Sequence, residues 1–260
     1  MNISDLFYDP ELYDLEVGVS YGRAARWELY SYWAKKTGGP VLELGSGTGQ
    51  IASAIATQGV DVLGLDCSEM MLTSALATRT NLNIEVQKRI EYIHGDMRTF
   101  NLNRSFSAVF IPYHAFFHLL TIEDIHACLS CIRKHLHPQG FLVFDIYVFS
   151  AAGWDLTSSG HSIRYPRLVG ETAWPSRSGY IRVTEEVSFN PVTQIQDTDF
   201  RYELLNENRE VKSVWYRQLK YRIASLEEIR LHLQICGFTN IEMTAYPTLG
   251  NSEWLILANC

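Results

Sequence analysis

No stretch of this sequence stays apolar for the roughly 18 residues that a membrane-crossing helix requires. The opening MNISDLFYDPEL has neither a basic leader nor an apolar core, so no signal peptide is expected. Lysine and arginine total 22 against 29 acidic residues and never form a run, and the net charge is -7. Without a basic face, neither nucleic acid nor an anionic membrane is an expected partner. Cysteine is sparse: Cys67, Cys128, Cys131, Cys236 and Cys260 are odd in number and scattered through apolar contexts. Cys128 and Cys131 form a CxxC within the helical pattern ACLSCIRKHL, but a structural zinc site needs a second ligand pair that is missing. They are expected to be a buried pair on a helix face. No HExxH or HxE…CxxC cluster occurs, so no metal is expected. Internal repeats and low-complexity tracts are absent too. A reduced, cytoplasmic protein is expected, as a monomer or homodimer.

With 260 residues, 47% of them hydrophobic, the chain can build one large α/β domain, or one domain with a sizeable insert. Residues 1–39 look helical in pieces and carry many aromatics. A regular alternation then begins. PVLELG, VDVLGLD, RIEYIHGD, SFSAVFIP and GFLVFDIYVF read as strands. Helices stand between several of them, with Ser68 and Thr121 as N-caps. This spacing calls for a parallel sheet covered on both faces. From about 150 to 222 the pattern becomes period-two, in SGYIRVTEEVSFN, TQIQDTDFRYELLN and VKSVWYRQLKYRIA. It predicts an antiparallel sheet of three or four strands. A capped helix, SLEEIRLHLQICGF, and two strands then close the chain. The expected organisation is an N-terminal helical lid over 1–39, a core over 40–149, an insert over 150–222 and a core-completing segment over 223–260.

The stretch VLELGSGTGQ decides what the core holds. A strand, a glycine-rich turn and a helix start together make a nucleotide cradle, since glycine admits close backbone approach and free N–H groups favour an anionic group. The dinucleotide fingerprint GxGxxG fails at Gln50, and the P-loop fails because no GK[ST] follows. What stands here is Glu43 followed by Gly45, Gly47 and Gly49. Asp66 ends the second strand, where a carboxylate can take both hydroxyls of a ribose. Asp96, in HGDMR, ends the third, beside the same crevice.

VLELGSGTG, LGLDCSEMML and IHGDMR, in this order and spacing, resemble the first three motifs of the class I S-adenosylmethionine-dependent methyltransferases. The resemblance implies an α/β fold with a Rossmann-like seven-stranded sheet, here with an antiparallel β insert before the last helix. It also implies S-adenosyl-L-methionine as cofactor and S-adenosyl-L-homocysteine as product. VFIPYHAFFHLLT, GFLVFDIY and ELYDLEVGVSYGR are similar to the branch containing amino-sugar N,N-dimethyltransferases and glycine-type N-methyltransferases. By this resemblance Gly45, Gly47 and Gly49 carry the methionine portion, Asp66 the ribose, and Asp96 with Met97 the adenine. Glu43 acts through the loop and the cofactor's ammonium, Cys67, Met71 and Ile111 line the site, and Tyr13 and Tyr21 fold over it.

The reaction implied is an in-line displacement whose main demand is alignment, with a base needed only where the acceptor binds protonated or as a hydroxyl. The acceptor is expected to be a small molecule, most plainly an amine, with O- or C-methylation and a non-catalytic cofactor-binding subunit as alternatives. His118 is the candidate base or orienting group, with Tyr13 beside it as a second catalytic candidate. His114 and Tyr147 are expected to face the acceptor from the core. In the insert, Trp154, Tyr165, Trp174, Tyr180, Arg201, Tyr216 and Arg217 are available, with Trp174, Arg201 and Tyr216 taken as acceptor contacts. Lid and insert are expected to flank the crevice from opposite sides.

Overall fold

The computed structural model describes residues 10–20, 23–148, 155–156, 162–174, 178–249 and 252–260. Tyr21 and Trp154 lie outside the described residues, as does the side chain of Tyr165. Two helices come first, α1 (Pro10–Ser20) and α2 (Arg23–Thr37). The core follows as β1 (Val41–Leu44), α3 (Gln50–Thr57), β2 (Val62–Asp66), α4 (Glu69–Thr80), α5 (Ile84–Gln87), β3 (Ile90–His94) and β4 (Phe106–Ile111). A 3-10 turn at Ala115–His118 leads to α6 (Ile122–His135) and β5 (Leu136–Tyr147). Side chains start the helices where the sequence places them. Ser68 accepts from Met71 N–H and Thr121 from Asp124 N–H, supplying partners for otherwise orphaned amides.

Next come β6 (Asp155–Leu156), β7 (Ser162–Trp174), β8 (Gly179–Asn190), β9 (Ile195–Leu205) and β10 (Val211–Arg222). The chain closes with α7 (Leu226–Ile235), β11 (Thr239–Ala245) and β12 (Glu253–Asn259). The main sheet has seven strands in the order β11-β12-β5-β4-β1-β2-β3. Strands β1 to β5 pair in parallel, while β12 runs antiparallel to both β5 and β11. β1 and β2 are buried along their whole length, as strands covered on both faces must be. Leu42, Leu44, Val109 and Ile111 pack beneath α6 and α7, while Val41, Ala108 and Phe110 pack on the opposite face against α2 and α3. Each such aliphatic side chain contributes about 1.5–3 kcal/mol by leaving water. No helix among the described residues is long and apolar enough to cross a membrane.

The insert forms one five-stranded antiparallel sheet, β10-β9-β8-β7-β6, larger than the alternation predicts. The overlooked long strand is β7. Its register against β8 slips between Arg164 and Arg167 and again between Leu168 and Gly170, so its apolar alternation is broken twice. Helix α1 lies against β7, and its Leu12 joins the insert's own core with Trp174, Ile181, Phe200 and Tyr202. The expectation that lid and insert flank the crevice from opposite sides is therefore corrected: they are packed together.

Candidate active site

The carboxyl ends of β1, β2, β3 and β4 open into a cavity of about 740 Å3, roofed by α1 and the inner face of the insert. Gly47, at φ +52, turns the loop so that its N–H donates to Asp66 Oδ2 at 2.8 Å. Asp66 Oδ1 accepts from Ser68 N–H at 2.8 Å. Burial raises the Asp66 pKa, with the two amides opposing it. Each Asp66 oxygen thus has one intraprotein amide donor and further acceptor capacity toward the cavity it lines. Gly45, Cys67, Met71 and Met97 share that lining.

Helix α1 holds the loop from above. Tyr13 stands over Gly47, where an added Cβ would lie 3.7 Å from the ring. Thr48 Oγ1 donates to Asp14 at 2.6 Å, and the Gln50 amide donates to the same oxygen. Enclosure raises the Tyr13 pKa well above 10.0, with neighbouring Tyr113 and Glu16 adding to the effect. Two residues further along, Glu16 accepts from Tyr202 at 2.6 Å and from Arg217 at 2.5 Å, both on the insert. One helix thus ties the glycine loop to the roof.

Three positions in the cofactor half differ from expectation. Gly49 faces away from the main cavity: a Cβ there would lie 2.1 Å from Tyr92 Oη, so this glycine makes room for packing. Ile111 belongs to the core under α6, because its strand parity turns it from the crevice. Glu43, one position out of phase with Leu42 and Leu44, is buried beside α3 rather than in the main cavity. Burial and the nearby Asp66 push its pKa well up, and its Oε2 has no partner among the described residues. Asp96 does line the cavity, but Arg98 clamps both its oxygens, with Nη2 at 2.6 Å, and holds its pKa below the ordinary value. The wall at that point is an ion pair, which also includes Asp124 at 2.9 Å.

In the acceptor half, His118 lines the cavity with its ring 5.1 Å from that of Tyr221. Burial, together with Arg217 and His114, lowers its pKa to about 4. Tyr147 also lines the cavity and is approached by the Gln196 amide, which donates to its hydroxyl at 3.0 Å. The three insert residues expected here are elsewhere. Trp174 is 1% exposed, within the insert's core. Tyr216 is 72% exposed, and Arg201 pairs with Glu203 outside the cavity lining. Along β9 and β10 the inward residues are Thr198, Phe200, Arg217 and Leu219, so Arg201 and Tyr216 fall on the other face of the pleat.

His114 sits in a cluster that the motifs did not reveal. The residues Tyr113 and His114 both take positive φ, 55 and 60, and Asp145 Oδ1 accepts the Tyr113 N–H at 3.1 Å. Arg26, from α2, donates to Asp145 Oδ2 and to Glu253 Oε2, each at 3.1 Å. His114 Nε2 lies 2.7 Å from Glu253 Oε2. His114, Asp145 and Glu253 come within 4.8 Å of one another, the spacing of metal ligands, yet the guanidinium of Arg26 already supplies the cation there. Burial opposes charge on Asp145, but Arg26, His114 and Tyr30 outweigh it and hold its pKa below the ordinary value. Asp145 could have been found by the rule that found Asp66, since it lies near the carboxyl end of β5. Glu253 starts the reversed strand, paired with Tyr147, and so reaches the same edge from the opposite direction.

Residues 41–140 match the family described as a methyltransferase domain. The chain thus carries a methyltransferase domain over those residues. Among curated members, the dTDP-3-amino-3,4,6-trideoxy-alpha-D-glucopyranose N,N-dimethyltransferase of Streptomyces venezuelae is 32% identical over 117 residues, 44% of this chain and 46% of that protein. The chain spans about half the length of the curated relatives it matches first. The crystal structure of Streptomyces venezuelae DesVI superposes with a TM-score of 0.73 at 18% identity, over 99% of this chain and 98% of that one. The glycopeptide N-methyltransferase MtfA complexed with (S)-adenosyl-L-methionine gives 0.59 at 22% identity, over 89% and 92%. Both superpositions show a shared fold.

Proposed function

We propose that this protein is an S-adenosylmethionine-dependent methyltransferase acting on an amine nitrogen of a small metabolite. The observation that carries this reading is the pairing of Asp66 with the Gly47 amide at the mouth of a cavity of about 740 Å3. That volume suits a cofactor and a small acceptor together. The residues present also fit the cofactor chemically. Asp66 would hold the ribose, Gly45 and Gly47 the methionine portion, and the wall of Asp96 and Met97 the adenine. Glu43, with a buried oxygen lacking a partner, gains from a cation placed near the loop.

When bound, the cofactor supplies an electrophilic methyl group and leaves as a neutral thioether. The protein's own residues then have to align and enclose, an effect that supplies about 7–11 kcal/mol where geometry is good. Tyr13 and the rest of α1 close the loop side, and Leu219 and Tyr221 close the roof. His118 is neutral at pH 7 and can give or take a hydrogen bond, but a group of pKa about 4 holds an abstracted proton poorly. This favours an amine, which attacks once neutral, over a hydroxyl that needs a base. Tyr13, with its raised pKa, stays protonated and orients.

Calorimetric titration with S-adenosylmethionine and S-adenosylhomocysteine, followed by transfer assays on matched amines and alcohols, tests the reading. Binding of both cofactor forms and transfer to amines are expected. Transfer to an alcohol in preference to its amine would overturn the acceptor class, and failure to bind either cofactor form would overturn the activity.

A further inference from the structure

Two of the cations lining the acceptor half each face a carboxylate: Arg217 faces Glu16 and Arg167 faces Glu185. Arg26 differs, because Asp145 and Glu253 both converge on its single guanidinium. Asp145 is fully engaged: its oxygens accept from Arg26, from the Tyr30 hydroxyl and from the Tyr113 amide. Glu253 is not. Its Oε2 takes the bonds from Arg26 and His114, whereas Oε1 meets no donor among the described residues. The residue is only 9% exposed and lines the cavity beside His114. Oε1 instead opens on the cavity, where water or a bound donor meets it, so it has acceptor capacity to offer a ligand.

We infer that Glu253 Oε1 receives the nitrogen of the acceptor, and that this residue selects an amine over the corresponding alcohol. The inference rests on the reading of the protein as an amine methyltransferase. Its chemistry follows from charge. As the nitrogen lone pair forms the N–C bond and the C–S bond breaks, the positive charge held by sulfur arises on nitrogen. A carboxylate beside that nitrogen holds the ammonium that binds; one proton leaves it for solvent through the cavity mouth before the lone pair attacks, and the carboxylate then stabilises the methylated ammonium that forms. Arg26 and His114 fix Oε2 and thereby aim Oε1, since the terminal torsion of a glutamate is otherwise soft. Two carboxylates on one guanidinium distinguish this point from the Arg217–Glu16 and Arg167–Glu185 pairs; another such cluster, Arg98 with Asp96 and Asp124, stands in the cofactor half.

The full chain, saturated with S-adenosylhomocysteine, is titrated calorimetrically at pH 7 with 3-amino-3-deoxyglucose and with glucose. The probes differ only in an ammonium replacing a hydroxyl. The amino sugar is expected to bind about tenfold more tightly or better, the scale of a charge-assisted hydrogen bond. Glu253→Gln, the same shape without charge, is expected to abolish that preference and leave S-adenosylhomocysteine affinity unchanged. If Glu253→Gln does not fold, Glu253→Asp keeps the charge but withdraws it by one methylene, and a reduced preference is expected. An undiminished preference in either variant overturns the role of Glu253 while the amine reading stands. No preference in the unsubstituted protein overturns this inference together with the amine reading, and absent S-adenosylhomocysteine binding strikes the activity itself.

Discussion

Arg26 and Asp145 stand 119 positions apart in the chain and 3.1 Å apart in space, with neither side chain reached by solvent. The pair fastens α2 to the end of β5, directly below the turn that carries His114 and His118. Removing one member leaves an uncompensated buried charge, so Arg26→Met is expected to cost about 3–5 kcal/mol in urea unfolding. Arg26→Met with Asp145→Asn should recover part of that loss.

The pH dependence of the same pair has a definite sign. The Asp145 pKa is lowered in the folded protein, so the stability it contributes is present above the ordinary carboxylate value and is lost as pH falls through the lowered one. In Arg26→Met the largest opposing influence is gone, so burial, opposed still by His114 and the Tyr30 hydroxyl, raises the Asp145 pKa relative to the unsubstituted protein, and the stability lost on acidification is expected to be smaller. Unfolding midpoints between about pH 3 and 7 distinguish the two slopes.

Glu43 behaves oppositely. Burial and Asp66 raise its pKa, so its contribution to stability is complete below the ordinary value of 4.5 and is lost as pH rises through the raised value. Glu43→Gln removes that penalty. The variant without cofactor is expected to be more stable than the unsubstituted protein at pH 8 and to bind S-adenosylmethionine more weakly. A variant that binds equally well would confine Glu43 to a structural role.

The sheet and its first site residues were legible because their signals are local. Strands buried on both faces read as apolar runs, Ser68, Thr121 and Ser225 announce helices, and Asp66 follows from the rule that strand ends meet ligands. The insert was legible only as a region. Alternation separates Arg217 from Tyr216 and Phe200 from Arg201, but both faces of that sheet carry aromatic or charged side chains, so nothing local says which face looks inward. Helix α1 was harder still. Leu12, Tyr13, Asp14 and Glu16 each meet a different partner, which leaves no single apolar stripe to read. Glu253 depended on the reversal of β12, a long-range property that strand patterns do not carry.

The glycine loop gives a sharper test than its motif. Gly47→Val places a β-branched residue at φ +52 and fills the space beneath Tyr13, so the variant should fold but bind no cofactor. Asp66→Ala releases the Gly47 amide as well as any ribose contact, and should weaken calorimetric affinity by about 1–3 kcal/mol. Normal binding by Gly47→Val would reduce the loop to a turn.

His118→Asn decides whether positioning is the whole of the mechanism. The lowered His118 pKa, about 4, leaves the ring neutral across the range in which amines become nucleophilic. Asparagine keeps a hydrogen-bonding side chain of similar reach and abolishes titration. A modest fall in kcat, with an unmoved pH profile between about pH 6 and 9, is therefore expected. A second readout is independent of turnover. Because the folded pKa is depressed, the stability His118 contributes is present above its ordinary value of 6.5 and is lost as pH falls towards 4. His118→Asn should flatten the unfolding midpoint across that interval. A large loss of kcat with a displaced profile would instead make His118 the base, and the burial that lowers its pKa would then have to be relieved when the acceptor binds.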